Sequence, residues 1–305
     1  MPPVRGVHIT SRVIVTATPV EYTSQAANAR SDEDANITDM LDILERAALA
    51  AGKAILEIYH SGTEVRLKAD ESPVTDADQK AEAIILSWLE NYFPVIPVVA
   101  EESVSAGRIP NIAGKAFFLV DPLDGTKEFV NRRDDFTVNI ALIDKGVPIL
   151  GVVYAPALGV AYSAGSGRAE KFTITPGFQQ EDRIIIGCRS HGDRLTAIAS
   201  RSHNSQETVN FLQQHEITDY SAIGSSLKFC LLAEGVADIY PRFSRTMEWD
   251  TAAGDAILRA AGGETLTMDG NPLTYGKQGQ DNDIDFANPF FVSRGKWRGD
   301  KPLIP

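Results

Sequence analysis

The chain has 305 residues, 43% hydrophobic and 23% charged, the balance of an ordinary globular protein that can bury a core without disulfides or a structural metal. Its 29 Lys and Arg against 41 Asp and Glu leave a net charge of −12, which argues against a nucleic-acid backbone binder and has the wrong sign for adsorption to an anionic membrane. Cys188 and Cys230 alone build neither a disulfide framework nor a thiolate zinc site, and no run of about 18 apolar residues offers a membrane span.

Residues 1–37, with Pro2, Pro3, Pro19 and the acidic Asp32-Glu33-Asp34, are expected to form a flexible extension. A degenerate targeting sequence, or a start placed upstream of a domain that begins near Met40, are the other readings. Leu41, Leu44, Ala48, Ala51, Ile55 and Ile58 recur at three and four residues, which predicts a helix capped by Thr38 or Asp39 and stopped before Gly62. A second helix starts at Thr75 or Asp76 and runs to about Tyr92, with Pro94 closing it. Strands are expected over 96–100, 117–120, 136–143, 149–154 and 160–163, then over 183–188, 195–199 and 238–240. Further helices are expected over 208–214, 225–234 and 250–261. The elements mix without regular βαβα alternation, so the fold class is α+β with stacked layers rather than a doubly wound sheet.

The strongest local signal is Asp121-Pro122-Leu123-Asp124-Gly125-Thr126, directly after the apolar strand Phe117–Val120. Two carboxylates on such a turn repel each other unless a cation lies between them, and hard oxygen donors of this kind suit Mg²⁺. The plainer reading is a β-turn whose aspartates bond their own backbone. Glu101 and Glu102 end another strand, where a solvated loop is the alternative. Asp250 and the pair Asp76 and Asp78 open helices, where ordinary capping is the alternative. Their shared placement at strand ends and helix starts is the pattern of a built metal site.

Together, Val99-Ala100-Glu101-Glu102-Ser103, Asp121 to Thr126, and Trp249-Asp250-Thr251-Ala252-Ala253-Gly254 resemble, in order and spacing, the magnesium-dependent, lithium-sensitive phosphatases of the inositol monophosphatase superfamily. The resemblance covers about Met40 to Phe291 and is strongest to the CysQ-type 3′(2′),5′-bisphosphate nucleotidases. It rests there on Lys127-Glu128-Phe129, on Phe136 to Ile143 leading into Gly151 to Pro156, on Ser200-Arg201-Ser202-His203, and on Gly224 to Cys230 followed by Tyr240 to Phe243. Two stretches depart from the pattern: Thr175 to Asp193, and Asp134-Asp135, for which the sequence suggests no role.

The resemblance implies an αβαβα sandwich of the sugar-phosphatase type with two subdomains, 38–190 carrying most metal ligands and 191–295 carrying substrate contacts, then a tail over 296–305. It implies that Glu101, Asp121, the Leu123 carbonyl, Asp124 and Asp250 hold two or three Mg²⁺ ions, and that Asp78 and Thr126, with Glu101, position and deprotonate the attacking water. It places Lys68 in a loop over the metal site, and Gly125 and Thr126 against the scissile phosphate. It assigns Ser202, His203, Ser225, Lys228 and Arg242, with Asp250, to the substrate. Read singly, Lys228 is equally a solvated helix residue, Arg242 a surface ion pair and His203 a loop histidine.

The implied reaction is in-line attack of a magnesium-activated water on 3′-phosphoadenosine 5′-phosphate, giving AMP and phosphate, with the 5′-phosphosulfate analogue as a second substrate. An inositol monophosphatase-like hydrolase of another small phosphate ester, and a catalytically silent metal- or nucleotide-binding regulator, are the competing readings. The implied partner is this small-molecule substrate, with no nucleic acid and no transmembrane segment. The expected location is the cytoplasm, with no anchor in the sequence for attachment to the inner membrane.

Overall fold

The computed structural model describes residues 24–61, 65–67, 73–192, 194–201 and 205–297. The chain divides into a unit Met1–Asn36 and a unit Ile37–Pro305, and the architecture below is that of the second. In chain order the elements are α1 (Ser24–Ser61), β1 (Val65–Leu67), β2 (Pro73–Thr75), α2 (Asp76–Tyr92), β3 (Val98–Ala100), α3 (Glu101–Ser105), β4 (Phe117–Asp124) and α4 (Thr126–Val130). Then follow β5 (Thr137–Asp144), β6 (Val147–Ala155), β7 (Val160–Gly165), β8 (Arg168–Ile174), β9 (Gln180–Ile186), β10 (Thr196–Ser200), α5 (Gln206–Gln214) and β11 (Asp219–Ile223). The last are α6 (Leu227–Ala233), β12 (Ile239–Arg242), α7 (Ala252–Ala260), β13 (Glu264–Thr267) and β14 (Phe291–Arg294).

Alternation along the strands builds the layers. Phe118 and Val120 of β4, with Val138, Ile140, Val152 and Tyr154, pack against Leu44, Ala48 and Ile55 of α1 and Ala81, Ile85 and Leu89 of α2. The intervening residues, Leu119, Ala141 and Val153, face the other way. They meet Phe229 and Leu232 of α6 and Ala253 and Ile257 of α7, which also pack on Tyr240 and Phe291 of a second sheet. That sheet turns Ala197, Ile239 and Val292 outward onto Phe211 and Leu212 of α5. The result is the five-layered αβαβα order.

The first sheet runs β3-β4-β5-β6-β7-β8-β9 and the second β11-β10-β12-β14-β13. In the first, β3 and β4 are parallel and the other neighbours antiparallel. Parallel pairing brings the C-terminal ends of β3 and β4 side by side, with Ala100 opposite Val120, so the acidic residues that follow each strand emerge together. Helix α7 lies close against the first sheet because Gly151 of β6 has no side chain: a Cβ there would sit 2.5 Å from the Ala253 carbonyl oxygen.

Three expectations are corrected. α1 begins at Ser24 rather than at a cap on Thr38 or Asp39, because alanines and polar residues without a breaker carry the helix upstream. Asp250 does not open a helix: α7 starts at Ala252 with Thr251 as its N-cap. Strands β1, β2, β8, β11, β13 and β14 were not expected. In β8 the inward Glu170, bonded to Arg168 and Arg183, interrupts the apolar pattern, while β11 is a mostly exposed edge strand. β13 and β14 are four residues each and pair with one another across a long intervening segment.

Candidate active site

Asp121 and Asp124 are three residues apart, so in a regular strand their side chains would point to opposite faces. Asp121 lies opposite Asn139 and Asp124 opposite Thr137, so β4 carries one residue more than β5 over this interval. This bulge, at Pro122 and Leu123, brings both carboxylates to one side. Gly125, at φ +93°, then turns the chain into α4. Asp121 accepts from the Leu123 N–H at 3.0 Å, so the turn that bonds its own backbone and the carboxylate pair that faces a common site are one structure.

Helix α2 supplies the next pieces. Thr75 and Asp78 form a capping box, with Asp78 Oδ2 accepting from the Thr75 N–H at 2.8 Å and its hydroxyl at 2.7 Å. The other oxygen, Oδ1, lies 3.1 Å from the Thr126 hydroxyl, which also lies 3.3 Å from the Leu123 carbonyl. One turn further along, the buried Glu82 accepts from the Glu102 N–H at 2.8 Å and the Ser103 hydroxyl at 2.7 Å. It thereby ties down the start of α3, whose first residue is Glu101.

The acidic groups perturb one another. Asp121 is buried, and burial together with the carboxylates of Glu101, Asp124 and Asp250 holds its carboxyl well above the ordinary range. Asp250 is pushed up to about 7, first by burial and then by Asp124, against the Met247 N–H that its Oδ2 accepts at 2.9 Å. Asp124 is raised by burial, while Lys228 and the Ser226 hydroxyl work the other way. Among the described residues, no three His, Cys, Asp or Glu side chains converge to coordination distance. The fit to a metal lies in the donor set: four mutually repelling carboxylates and a carbonyl, all hard oxygens, suit divalent magnesium.

Glu101, Asp124, Gly125, Thr126 and Asp250 line a cavity of about 720 Å³ together with Ser225, Lys228 and Arg242. Lys228 and Arg242 are 5% and 6% exposed, so neither is the solvated helix residue or the surface ion pair that the sequence left open. Burial lowers Lys228 to about 8, with Asp124 opposing that shift, and its ammonium lies 5.4 Å from the Tyr240 ring centroid. Arg242 donates to the Ser244 carbonyl at 3.2 Å and the Arg245 carbonyl at 2.7 Å, which fixes its fork at the cavity wall. Lys68, Ser202 and His203 lie outside the described residues.

The sequence model of the inositol monophosphatase family matches residues 36–284. The chain belongs to this family. It is 46% identical over 255 residues to the 3′(2′),5′-bisphosphate nucleotidase CysQ of Shigella flexneri, covering 83% of this chain and 98% of that one. The crystal structure of CysQ from Bacteroides thetaiotaomicron, described as a bacterial member of the family, is 38% identical with a TM-score of 0.68 and covers 84% of this chain and 97% of its own. An inositol monophosphatase of Thermotoga maritima, at 23% identity and a TM-score of 0.65 over 84% of this chain and 92% of that one, shares the fold. The inositol monophosphatase family is metal-dependent, generally on Mg²⁺.

Three further polar residues shape the site of this family member, and the sequence reading gave none of them a role. Ser226 Oγ lies 2.8 Å from Asp124 Oδ2 and 2.7 Å from the Asp250 carbonyl, so its single proton serves one of the two at a time. It accepts from Asn139 Nδ2 at 2.8 Å, and the same amide reaches Asp124 at 3.4 Å. Glu82 is the third; its signal was its place four residues after Asp78, on the same face of α2. Asn139 and Ser226 gave no comparable signal, because the bond between them joins residues 87 apart in the chain.

Proposed function

We propose that this chain is a metal-dependent 3′(2′),5′-bisphosphate nucleotidase that hydrolyses 3′-phosphoadenosine 5′-phosphate to AMP and phosphate, with the 5′-phosphosulfate analogue as a second substrate. The observation that carries this reading is the placement of two buried cationic side chains, Lys228 and Arg242, in the same cavity as the carboxylates. A substrate with a single phosphate has no use for a second cationic pole, whereas a bisphosphorylated nucleotide presents a remote phosphate to it. The 46% identity to a CysQ nucleotidase supports the same choice.

Glu101, Asp121, Asp124, Asp250 and the Leu123 carbonyl would hold Mg²⁺, two or three ions in all. When bound, these ions acidify a water and screen the leaving oxygen. The chain's own groups do the rest. Asp78 Oδ1 takes the Thr126 hydroxyl proton in a hydrogen bond, which leaves the Thr126 oxygen free to accept from the attacking water and aim it. Glu101, and Asp78 through the Thr126 hydroxyl, take up the proton that the attacking water gives up. The water oxygen bonds to phosphorus as the ester P–O bond breaks on the opposite side, and the leaving 3′ oxygen takes a proton from a solvent water to give AMP. Backbone N–H groups of Gly125 and Thr126 face the reacting phosphate, and Ser225, Lys228 and Arg242 hold the 5′ phosphate, together with Ser202 and His203.

Phosphate release from 3′-phosphoadenosine 5′-phosphate tests the reading, with wild type and Asp124→Asn each in Mg²⁺ and in EDTA. Release by wild type in Mg²⁺ only, lost in the variant, is expected. Release that survives EDTA, or that Asp124→Asn leaves intact, would overturn the metal-centred assignment.

A further inference from the structure

The pair Asp134-Asp135, unexplained by the sequence, lies between the two halves of the site. The Asp135 main-chain carbonyl packs against two glycines: a Cβ on Gly125, in the carboxylate turn, would approach it to 3.5 Å, and a Cβ on Gly224, at the edge of the substrate side, to 2.9 Å. Its side chain reaches the substrate side only. Asp135 Oδ2 accepts from the Gly224 N–H at 2.6 Å and from the Arg201 guanidinium, which also donates to the Ala222 carbonyl at 2.9 Å. Asp134 accepts from the Tyr59 hydroxyl of α1 at 3.2 Å, which fixes the base of the same segment.

Gly224 leads into Ser225, which is held at φ +49°, a conformation that a serine keeps only when its surroundings impose it. Ser225 and Lys228 both line the cavity, and Lys228 Nζ donates to the Ser225 carbonyl. The segment that would hold the remote phosphate is therefore tied by a charged hydrogen bond to Asp135, whose main-chain carbonyl lies beside Gly125 of the carboxylate turn.

We propose that Asp135 is a positioning residue that fixes the spacing between the reacting-phosphate site and the remote-phosphate site, and so sets the preference for bisphosphorylated over monophosphorylated nucleotides. This rests on the nucleotidase reading. Asp135 touches no reacting atom; it acts through Gly224, Ser225 and Arg201.

The test compares kcat/KM for 3′-phosphoadenosine 5′-phosphate and for 3′-AMP, which lacks the remote phosphate, in wild type, Asp135→Ala and Asp135→Asn, with Tm measured for each. Wild type is expected to prefer the bisphosphate. Asp135→Ala is expected to lower that preference about tenfold, through KM for the bisphosphate, as fits the loss of a charged hydrogen bond. Asp135→Asn is expected to lower it less, because its amide oxygen still accepts from Gly224 while the charge facing Arg201 is gone. A preference unchanged in both variants, whether or not Tm and both activities fall together, would overturn the proposal and leave Asp135 a purely structural residue. Equal activity of wild type on the two substrates would instead sink the nucleotidase reading, and this proposal with it.

Discussion

Asp78 divides its two oxygens between two tasks, one closing the capping box with Thr75 and the other bonding Thr126. Capping and the proposed chemistry are therefore compatible in this residue, because the cap fixes the carboxylate that bonds Thr126. Asp124 is oriented in the same way by Ser226. Ser226→Ala is expected to weaken Mg²⁺ activation by roughly 10–100-fold, the usual cost of removing a residue that orients a metal ligand; a Mg²⁺ titration of the initial rate measures it, and an unchanged half-saturation would contradict the role. The carboxyls also predict a pH dependence. Asp250 titrates at about 7 when folded, against about 4 when unfolded, and Asp121 is raised as well. The folded state thus binds more protons than the unfolded state between those values, so stability falls as pH rises through the window. Thermal melts in EDTA should show Tm declining from about pH 4 to pH 7 through these groups, and Mg²⁺ should offset the decline by replacing the protons. A Tm in EDTA that rises over that range would contradict the packing of these carboxylates. At this scale the sequence was informative wherever a residue sat in a short local motif, as Asp121, Asp124 and Thr126 do. It was silent for Ser226 and Asn139, whose partners are brought to them only by the fold.

Elements carry the site carboxylates into place, and two contacts decide where they stop. Glu82 of α2 holds the first turn of α3. Glu82→Ala leaves the Glu102 N–H and the Ser103 hydroxyl without that acceptor, at a cost of roughly 1–3 kcal/mol, and loosens the backbone under Glu101. A lowered Tm together with a raised Mg²⁺ requirement is expected; a lowered Tm alone would make Glu82 structural only. Gly151 sets the depth of α7, whose N-terminal end follows Asp250. Gly151→Ala would drive a methyl into the Ala253 carbonyl and the Ala256 side chain, costing about 1–3 kcal/mol and shifting Asp250 away from Asp121. Denaturant unfolding and the Mg²⁺ dependence of the rate should both register it. Helix α2 could be read in advance because its cap, apolar stripe and terminating proline agree. The bulge in β4 could not, because it is defined by register against β5.

The whole molecule places the acidic pole and the cationic pole in one cavity: β4 and α3 supply most of the first, α6 and β12 most of the second, and Asp250 arrives with α7. The layered class was legible from the mixture of elements. The order of the second sheet was not, since β13 and β14 are four residues each and their pairing is non-local. On the proposed function, both poles serve one substrate. The most direct test is kcat/KM measured side by side, in Mg²⁺, for 3′-phosphoadenosine 5′-phosphate and for inositol 1-phosphate. A strong preference for the nucleotide is predicted, carried by Lys228 and Arg242. Equal use of the two, or a preference for the inositol ester, would leave the carboxylate site standing and contradict the assignment of the cationic pole.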